Sequence, residues 1–510
     1  MDTEVLIVGA GPTGLVLALW LARLGIRVRI IDKAIEPGTT SRAVAVQVRT
    51  LELYRQLGFA SEVVDAGLKF TALNFWARGK KAAHIDFGGL GSGLSPFPYA
   101  LIYPQDEHER FLIERLKALD VRVEHASELL DFEETGKSVV ARLRGTTCEA
   151  AFLAGCDGAH STAREKLRIP FPGGTYEHLF YVADVEATGP VIDGELHASV
   201  DESDFVAVFP LKNAGHVRLI GTIRPESERE RENLSWDDVN TGLLQRLRIH
   251  VRELNWFSTY HVHHRVATRF RKGRVFLLGD AAHIHSPVGG QGMNTGIGDA
   301  VNLAWKLAAV LRDRAPAHIL DSYEAERIGF ARRLVATTDR VFQFVTRRGR
   351  LAATIRVHIA PRLISAAFQL RAVRRFLFRT VSQTAITYPT SLLSEGRAGH
   401  VRGGDRLPWA QSTPDNFAPL ESLDWQVHVY GTATGALTET CAARGLPLHV
   451  FPWTRSASHV GLAPDALYLV RPDGHVALAN PLQKSVVLER YLDDRGIRAG
   501  AGAALIAPTR

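Results

Sequence analysis

Two strand-to-helix junctions stripped of side chains, one beginning at Gly9 and one at Gly279, constrain this chain more than any other feature. The first lies in EVLIVGAGPTGLVLALWLARLGIRVRIID. Val5 to Val8 is a short apolar run of the kind that forms a buried parallel strand. Gly9, Gly11 and Gly14 make GxGxxG at its end, a helix follows from about Pro12 to Leu24, and Gly25 stops it. Val28 to Ile31 is a second strand with Asp32 at its tip. Gly9 permits the sharp turn, Gly11 lets a pyrophosphate approach bare backbone, and Gly14 lets helix and strand pack closely. The helix N-terminus adds free N–H groups and partial positive charge. Asp32 can accept from both hydroxyls of an adenosine ribose and would repel a 2′-phosphate, so the bound dinucleotide is expected to be FAD or NAD, not NADP.

The second junction is GRVFLLGDAAHIHSPVGGQGMNTGIGDAVNLAWKLAAVL. Val275 to Leu278 reads as another buried strand, ended by Gly279-Asp280. A long helix is expected from near Gly292–Asn294 to about Leu311, with Ile297, Val301, Leu303, Ala304, Leu307 and Ala308 facing a core. The chain has one GxGxxG but two glycine-lined junctions. A single extended ligand gripped at both ends accounts for both.

With these motifs the chain resembles the class A, single-component FAD-dependent aromatic hydroxylases of the para-hydroxybenzoate and phenol hydroxylase superfamily. The mid-chain GCDGAHSTAREKLRI supplies that family's DG motif (Asp157, Gly158, Ser161, Arg164), and the Gly279 stretch supplies its GD motif. SRAVAVQVRTLELYRQLG and YPQDEHERFL match as well, with Arg42 and Gln105 at the positions that face FAD. The resemblance implies cofactor contacts from Gly9, Gly11, Pro12, Thr13, Gly14, Asp32, Lys33, Arg42, Gln105, Asp157, Gly158, Gly279, Asp280, Pro287, Gly290, Gly292, Met293 and Asn294. Asp280 would hold the ribityl chain. Gly289 to Asn294 would turn backbone N–H groups toward the flavin N1 and C2 carbonyl, where reduced flavin is an anion. Pro287, His283 and Arg42 are the expected catalytic positions.

The resemblance also implies a fold: an α/β chain with a Rossmann-like FAD-binding domain, an inserted mixed β-sheet substrate domain and a C-terminal thioredoxin-like α/β domain. The expected boundaries are 1–75, 100–170 and 272–335 for FAD; 76–99 and 171–271 for substrate; 336–396 for a helical connection; and 397–510 for the last unit. The insert alternates as half-buried strands do in HLFYVADVEA, GELHASVDESDFVAVFPLK, HVRLIGTIRP and YHVHHRVATRF. DWQVHVYG, PLHVFPW and ALYLVRPDGHVAL read as strands of the last unit, with Pro472-Asp473-Gly474 as a hairpin turn. That unit has no CxxC and so no dithiol chemistry; a structural or dimer-contact role is the expectation, and a homodimer is allowed for.

Several other classes lose their footing. Cys148, Cys156 and Cys441 form neither CxxC nor CxxxxC, which fits a reducing, cytoplasmic setting and excludes disulfide reductases. No signal peptide and no apolar run long enough to span a membrane is read. His283 and His285, and His261 and His263, have no carboxylate or cysteine at ligand spacing, so no metal is expected. No GxSxG anchors hydrolase chemistry. The net charge of +7 comes from arginine and suits anionic small molecules. The arginines from Arg327 to Arg379 read as a solvated helical face, with Leu363, Phe368, Phe376 and Leu377 packing on the body, rather than as a nucleic-acid site. Gly88 to Gly93 reads as a flexible surface loop.

The expected reaction is monooxygenation: NADPH or NADH reduces FAD, and O2 delivers one atom through a flavin C4a-hydroperoxide to a phenolic or polycyclic aromatic ring. Baeyer–Villiger-type oxygenation on the same scaffold is the alternative. A non-catalytic flavin-binding protein and an NAD-dependent dehydrogenase are the readings from other classes. Tyr181, His197, Asp201, His216, Arg218 and His261 stay open as candidates for the phenol-activating group.

Overall fold

The computed structural model describes residues 1–38, 43–70, 72–86, 89, 91–200, 205–223, 234–239, 241–286, 289–346, 370–411 and 413–499. Thr3–Val8, Val28–Ile31, Thr146–Gly155 and Val275–Leu277 form its parallel centre. Parallel strands are buried on both faces, which is why Val5, Leu6 and Ile7 are fully enclosed. Val8 stands opposite both Gly155 and Ile31, and Gly155 opposite Leu277. The four strands therefore end level. Gly9, Asp32, Asp157 and Gly279, far apart in sequence, emerge along one edge of one sheet, where open α/β sheets bind their ligands.

The helix Pro12–Arg23 is apolar on nearly all sides because it is covered on nearly all sides. It packs against the sheet and against the helices Gly292–Leu311 and Gln105–Lys117. Pro12 opens it, where a missing N–H costs nothing, and Gly25 at φ +72° ends it. The second long helix begins at Gly292, within the expected window.

A second eight-stranded sheet carries the insert, in the order 283–284, 250–266, 173–188, 216–223, 205–210, 196–200, 72–77 and 80–86. Two of its strands begin outside the expected insert. Ala72–Ala77, which straddles the expected boundary at 75/76 with its first four residues in the expected FAD-binding segment, pairs with Leu196–Val200. His283–Ile284, just after the GD motif, pairs with Arg265–Val266, so one short stretch of chain joins the Gly279 turn to the second sheet.

The last unit holds a sheet ordered 401–402, 395–398, 476–480, 467–470, 426–430 and 448–451. Gln426–Tyr430 runs parallel to Leu448–Phe451 and antiparallel to Leu467–Val470, which returns antiparallel through Val476–Asn480. The expected hairpin turn is present, with Gly474 at φ +73°.

Three expectations need correction. Arg327 is not on a solvated face; its side chain is 1% exposed and ion-paired with Asp299. Phe376 is exposed, and Phe378 is the residue of the Arg371–Val381 helix that packs inward; Leu363 and Phe368 lie outside the described residues. In the Gly88–Gly93 stretch, Gly91 is buried, with a Cβ there falling 2.5 Å from Pro98 Cα and 2.6 Å from Phe378. Among the described residues, no helix is long and apolar enough to cross a membrane, and no group of three or more His, Cys, Asp or Glu residues could hold a metal.

Candidate cofactor and substrate site

The three glycines of GxGxxG separate by what surrounds them. A Cβ on Gly9, at φ +105°, would meet the Cys156 carbonyl oxygen at 2.3 Å, so this turn is pressed against the DG segment. A Cβ on Gly14 would meet the Gly9 carbonyl oxygen at 2.0 Å, which sets the close helix–strand contact. A Cβ on Gly11 would meet only Glu109 Oε1, at 4.0 Å. Two positions are crowded and the middle one opens outward at a helix N-terminus without a side-chain cap. That is the cradle a pyrophosphate needs. Asp32 Oδ2 accepts from the Ala10 N–H (2.7 Å) and Oδ1 from the Ala34 N–H (2.8 Å). These bonds orient the carboxylate and leave lone pairs for ribose hydroxyls. Lys33 is exposed beside it.

Gln105 Nε2 donates to Glu109 Oε1 (2.7 Å) at the rim of this cradle. Burial first, then the like charges of Asp32 and Asp106, raise the Glu109 carboxyl to about 7. The folded protein therefore keeps a proton that an unfolded glutamate, ordinarily at 4.5, has already lost. Glu109 costs stability progressively as pH rises from 4.5 to about 7, and the cost persists above. Glu109→Gln is expected to raise the melting temperature of the apoprotein little near pH 5 and most above pH 7. An equal shift at both ends would contradict this assignment.

The DG motif is braced internally. Asp157 Oδ1 accepts from Ser161 Oγ (2.6 Å) and Oδ2 from the Ala163 N–H (3.0 Å), while Gly158 sits at φ +77° with open space around it. Arg164 ties this motif to the next by donating to the Ala281 carbonyl (3.0 Å) and the Ala159 carbonyl (2.8 Å).

In the GD turn, Gly279 is buried and Asp280 is exposed at the sheet edge. The Thr13 side chain is wedged between Gly279 and Gly296; Cβ atoms there would stand 2.8 and 2.2 Å from its Oγ1. Thr13, half-buried, thus packs the first helix against the second junction. Asn294 is saturated by protein. Its Oδ1 accepts from the Gln47 N–H and Thr50 Oγ1 (2.8 Å each), and its Nδ2 donates to the Ala45 and Gly290 carbonyls (2.9 Å each). Its side chain is a strut, while the N–H groups of Gly292, Met293 and Asn294 precede the first intrahelical bond, Thr295 N–H to Gln291 O. Gly289 and Gly290, at φ +79° and +61°, form the bend before them. Nearby, His285 Nε2 and Ser286 Oγ are buried without a hydrogen-bond partner, and burial lowers the His285 imidazole to about 4. An open cradle at one junction and orphaned polar atoms at the other fit a ligand with phosphate at one end and a polar ring at the other.

His283 is 1% exposed, and its Nε2 lies 2.7 Å from Asp299 Oδ2. Pro287 and Arg42 lie outside the described residues, as does Asp201.

Strand alternation sorts the candidates on the inserted sheet. Tyr181 packs with Phe257 and Trp236 over a helical cap formed by Leu243, Leu244 and Leu247, and His197 is held by Trp76 Nε1 (3.0 Å) and Asp193 (2.8 Å). Both belong to the outer face. His216 is only partly buried, beyond the aromatic cluster, and His261 is exposed. Arg218 lies on the opposite face. It pairs bidentately with Asp184 (2.7 Å each), donates to the Ala43 carbonyl (3.3 Å) within the first expected FAD-binding segment, and stands 5.8 Å over the Trp256 ring. Phe180, Val182, Ile220 and Val262 form that face, with Phe205, Phe209, Trp256 and Tyr260 partly exposed around them. Sequence reading missed Asp184 and this aromatic wall. Parity shows two faces, but only the Ala43 contact tells which one looks inward. A separate cavity of about 210 Å³, lined by Arg375, Arg379 and Arg406, contains none of the motif residues.

The family model described as "FAD binding domain" matches residues 2–338. The chain is 36% identical over 411 residues to the 6-methylpretetramide 4-monooxygenase of Streptomyces rimosus, covering 78% of this chain and 72% of that one. It is 33% identical over 438 residues to the pentachlorophenol 4-monooxygenase of Sphingobium chlorophenolicum, covering 81% and 77%. Among solved structures, the OxyS anhydrotetracycline hydroxylase from Streptomyces rimosus superposes with a TM-score of 0.79 at 27% identity, covering 99% of this chain and 100% of that one.

Proposed function

The chain belongs to the FAD-binding-domain family of flavoprotein aromatic monooxygenases, and from that premise we propose that it oxygenates a phenolic ring within a polycyclic aromatic compound. FAD is its cofactor and NAD(P)H its reductant. Bound FAD, once reduced, supplies the activated oxygen; the chain's own residues do the rest.

The observation that carries the substrate reading is the inner face of the inserted sheet. A wall of Phe205, Phe209, Trp256 and Tyr260 surrounds one ion pair, Arg218–Asp184. Aromatic walls grip flat apolar rings and exclude water, and a single polar pair among them fixes a hydroxyl. The Asp184 carboxylate is 22% exposed while its partner is 2% exposed, so the acceptor oxygen is what a substrate hydroxyl would reach. The two tetracycline-type relatives support a polycyclic ring over a single-ring phenol.

On this reading Gly9, Gly11, Gly14, Asp32, Lys33 and Gln105 receive the ADP half of FAD, with Pro12 setting the helix start and Thr13 a further contact. Asp157, Gly158, Gly279, Asp280 and the backbone of Gly290, Gly292, Met293 and Asn294 receive the flavin half. His283, bonded to Asp299, positions the turn rather than moving a proton. Residues 426–494 are read as a thioredoxin-like unit, supported by the strand order 448–451, 426–430, 467–470, 476–480 with one parallel pair followed by two antiparallel ones. Cys441 is its only cysteine, so the unit has no dithiol to use.

The test is NADPH oxidation by the FAD-loaded protein in aerobic buffer, alone and with compounds running from simple phenols to linear tetracyclic phenols. A rate rise confined to the polycyclic compounds, with a hydroxylated product, is expected. Stimulation by simple phenols alone would overturn the substrate reading.

A further inference from the structure

Beneath the GD turn runs a chain of buried charges that ends in the C-terminal unit. Asp299 accepts from the Gly279 N–H (3.0 Å) and lies 2.7 Å from His283 Nε2, so one carboxylate fixes both ends of the turn. Arg327 holds it from the other side, donating through Nε to Asp299 Oδ1 (2.6 Å), and to the Thr295 carbonyl (3.1 Å) and Tyr388 OH (2.8 Å). Burial disfavours a charged Asp299, yet Arg327 and His283 hold its carboxyl below the usual range.

The preceding residue, Glu326, is clasped by Arg471 (2.8 and 3.0 Å), Lys306 (2.9 Å) and Ser391 (2.6 Å). Arg471 also binds Asp473 in its own hairpin (3.0 and 2.5 Å), and Arg49 donates to the Asp473 carbonyl (2.5 Å). Tyr388 joins the two halves, since it takes the Arg327 hydrogen bond while its ring lies 5.6 Å from the Arg471 guanidinium and 4.7 Å from the His475 ring. The side chains of Lys306, Glu326 and Arg471 are completely enclosed.

Buried ions on this scale are a weak source of stability, because desolvation offsets the Coulomb gain and apolar replacements often serve as well. What they confer is position: a carboxylate bound by several fixed donors has one place to sit. We propose that Arg471 and Asp473, through Glu326, Arg327 and Asp299, hold the Gly279–Asp280 turn in its cofactor-binding geometry, which makes the C-terminal unit a positioning element of the flavin site. The proposal rests on the reading that this turn receives FAD. Arg471 touches no cofactor atom; it acts through Glu326 and its helix neighbour Arg327.

The test uses the full chain and titrates apoprotein with FAD, reading flavin fluorescence and the visible spectrum of the bound flavin. Arg471→Met is expected to weaken FAD binding about tenfold and to shift the bound-flavin absorption, because it leaves buried carboxylates uncompensated. Tyr388→Phe keeps the ring and removes only the acceptor for Arg327. It is expected to weaken binding about threefold, with the same spectral direction and unchanged circular dichroism. In a double-mutant cycle with Asp299→Asn, the Arg471→Met loss should be smaller than in the wild-type background, as for two members of one network. Wild-type FAD affinity and spectrum in both Arg471→Met and Tyr388→Phe would overturn the proposal, and so would strict additivity in the cycle. Should Arg471→Met not fold, Tyr388→Phe decides. If Asp299→Asn leaves FAD binding untouched, the failure lies in the cofactor reading of the turn, and the proposal falls with it.

Discussion

Gly11→Val is expected to give a folded protein that no longer holds FAD, while Gly14→Ala is expected to damage the fold itself. The two glycines are three residues apart in one motif, and their surroundings differ. Gly11 has φ −71° and ψ 178°, values any residue adopts, and a Cβ there has its nearest neighbour at 4.0 Å. A valine side chain would enter only the space left for the pyrophosphate. Gly14 offers no space, since its Cβ would lie 2.0 Å from a backbone oxygen that cannot move without moving the Gly9 turn. Gly11→Val apoprotein should melt within about 2 °C of wild-type apoprotein. Its FAD affinity should fall on the order of a hundredfold, as when a phosphate loses its backbone donors. Gly14→Ala should lose about 3 kcal/mol of stability from overpacking alone. Thermal melts of the apoproteins and an FAD titration check both. A destabilised Gly11→Val that still binds FAD would contradict the assignment of the cradle.

The second large effect concerns the ion pair on the inner sheet face. Asp184→Ala should destabilise the protein by about 3 kcal/mol, because it strands a buried guanidinium. Arg218 is 2% exposed and loses both of its 2.7 Å contacts. Replacing both partners, Asp184→Leu with Arg218→Met, removes the stranded charge and should recover most of that stability. The paired variant should nevertheless bind FAD normally and lose substrate-stimulated NADPH oxidation, since the hydroxyl-fixing group is gone. Denaturant titration and stopped-flow flavin reduction, with and without substrate, separate the two roles. A paired variant with wild-type stimulation would show that the pair serves the fold alone.

The local geometry of the candidate cofactor end was legible in the sequence because its chemistry is local. The turn at Gly9, the uncapped helix start at Pro12 and the acid at Asp32 lie within one strand–helix–strand unit, where each residue type has a short-range reason. The Gly292 helix start and the Pro472-Asp473-Gly474 hairpin were legible for the same reason. The candidate substrate face was not. Tyr181 and Arg218 sit on alternating strands of similar composition, and only long-range packing turns one outward and the other toward Ala43. The charges were misleading for a related reason. Arg327 in a run of arginines reads as solvated, and what buries it, Asp299 on one side and Tyr388 on the other, lies 28 and 61 residues away. Asn294 sits in the right motif, yet its side chain ties the second junction to the Ala45–Thr50 segment instead of reaching outward.

On the proposed function, this chain holds FAD across two glycine-lined junctions and uses it to place one oxygen atom on a polycyclic phenol. A turnover under ¹⁸O2 with NADPH and the best substrate of the phenol panel, followed by mass spectrometry of the product, tests this. The expected result is one ¹⁸O atom in the product as a new ring hydroxyl, with NADPH consumed in proportion. NADPH consumption with all the label recovered as hydrogen peroxide, for every compound that binds, would contradict it.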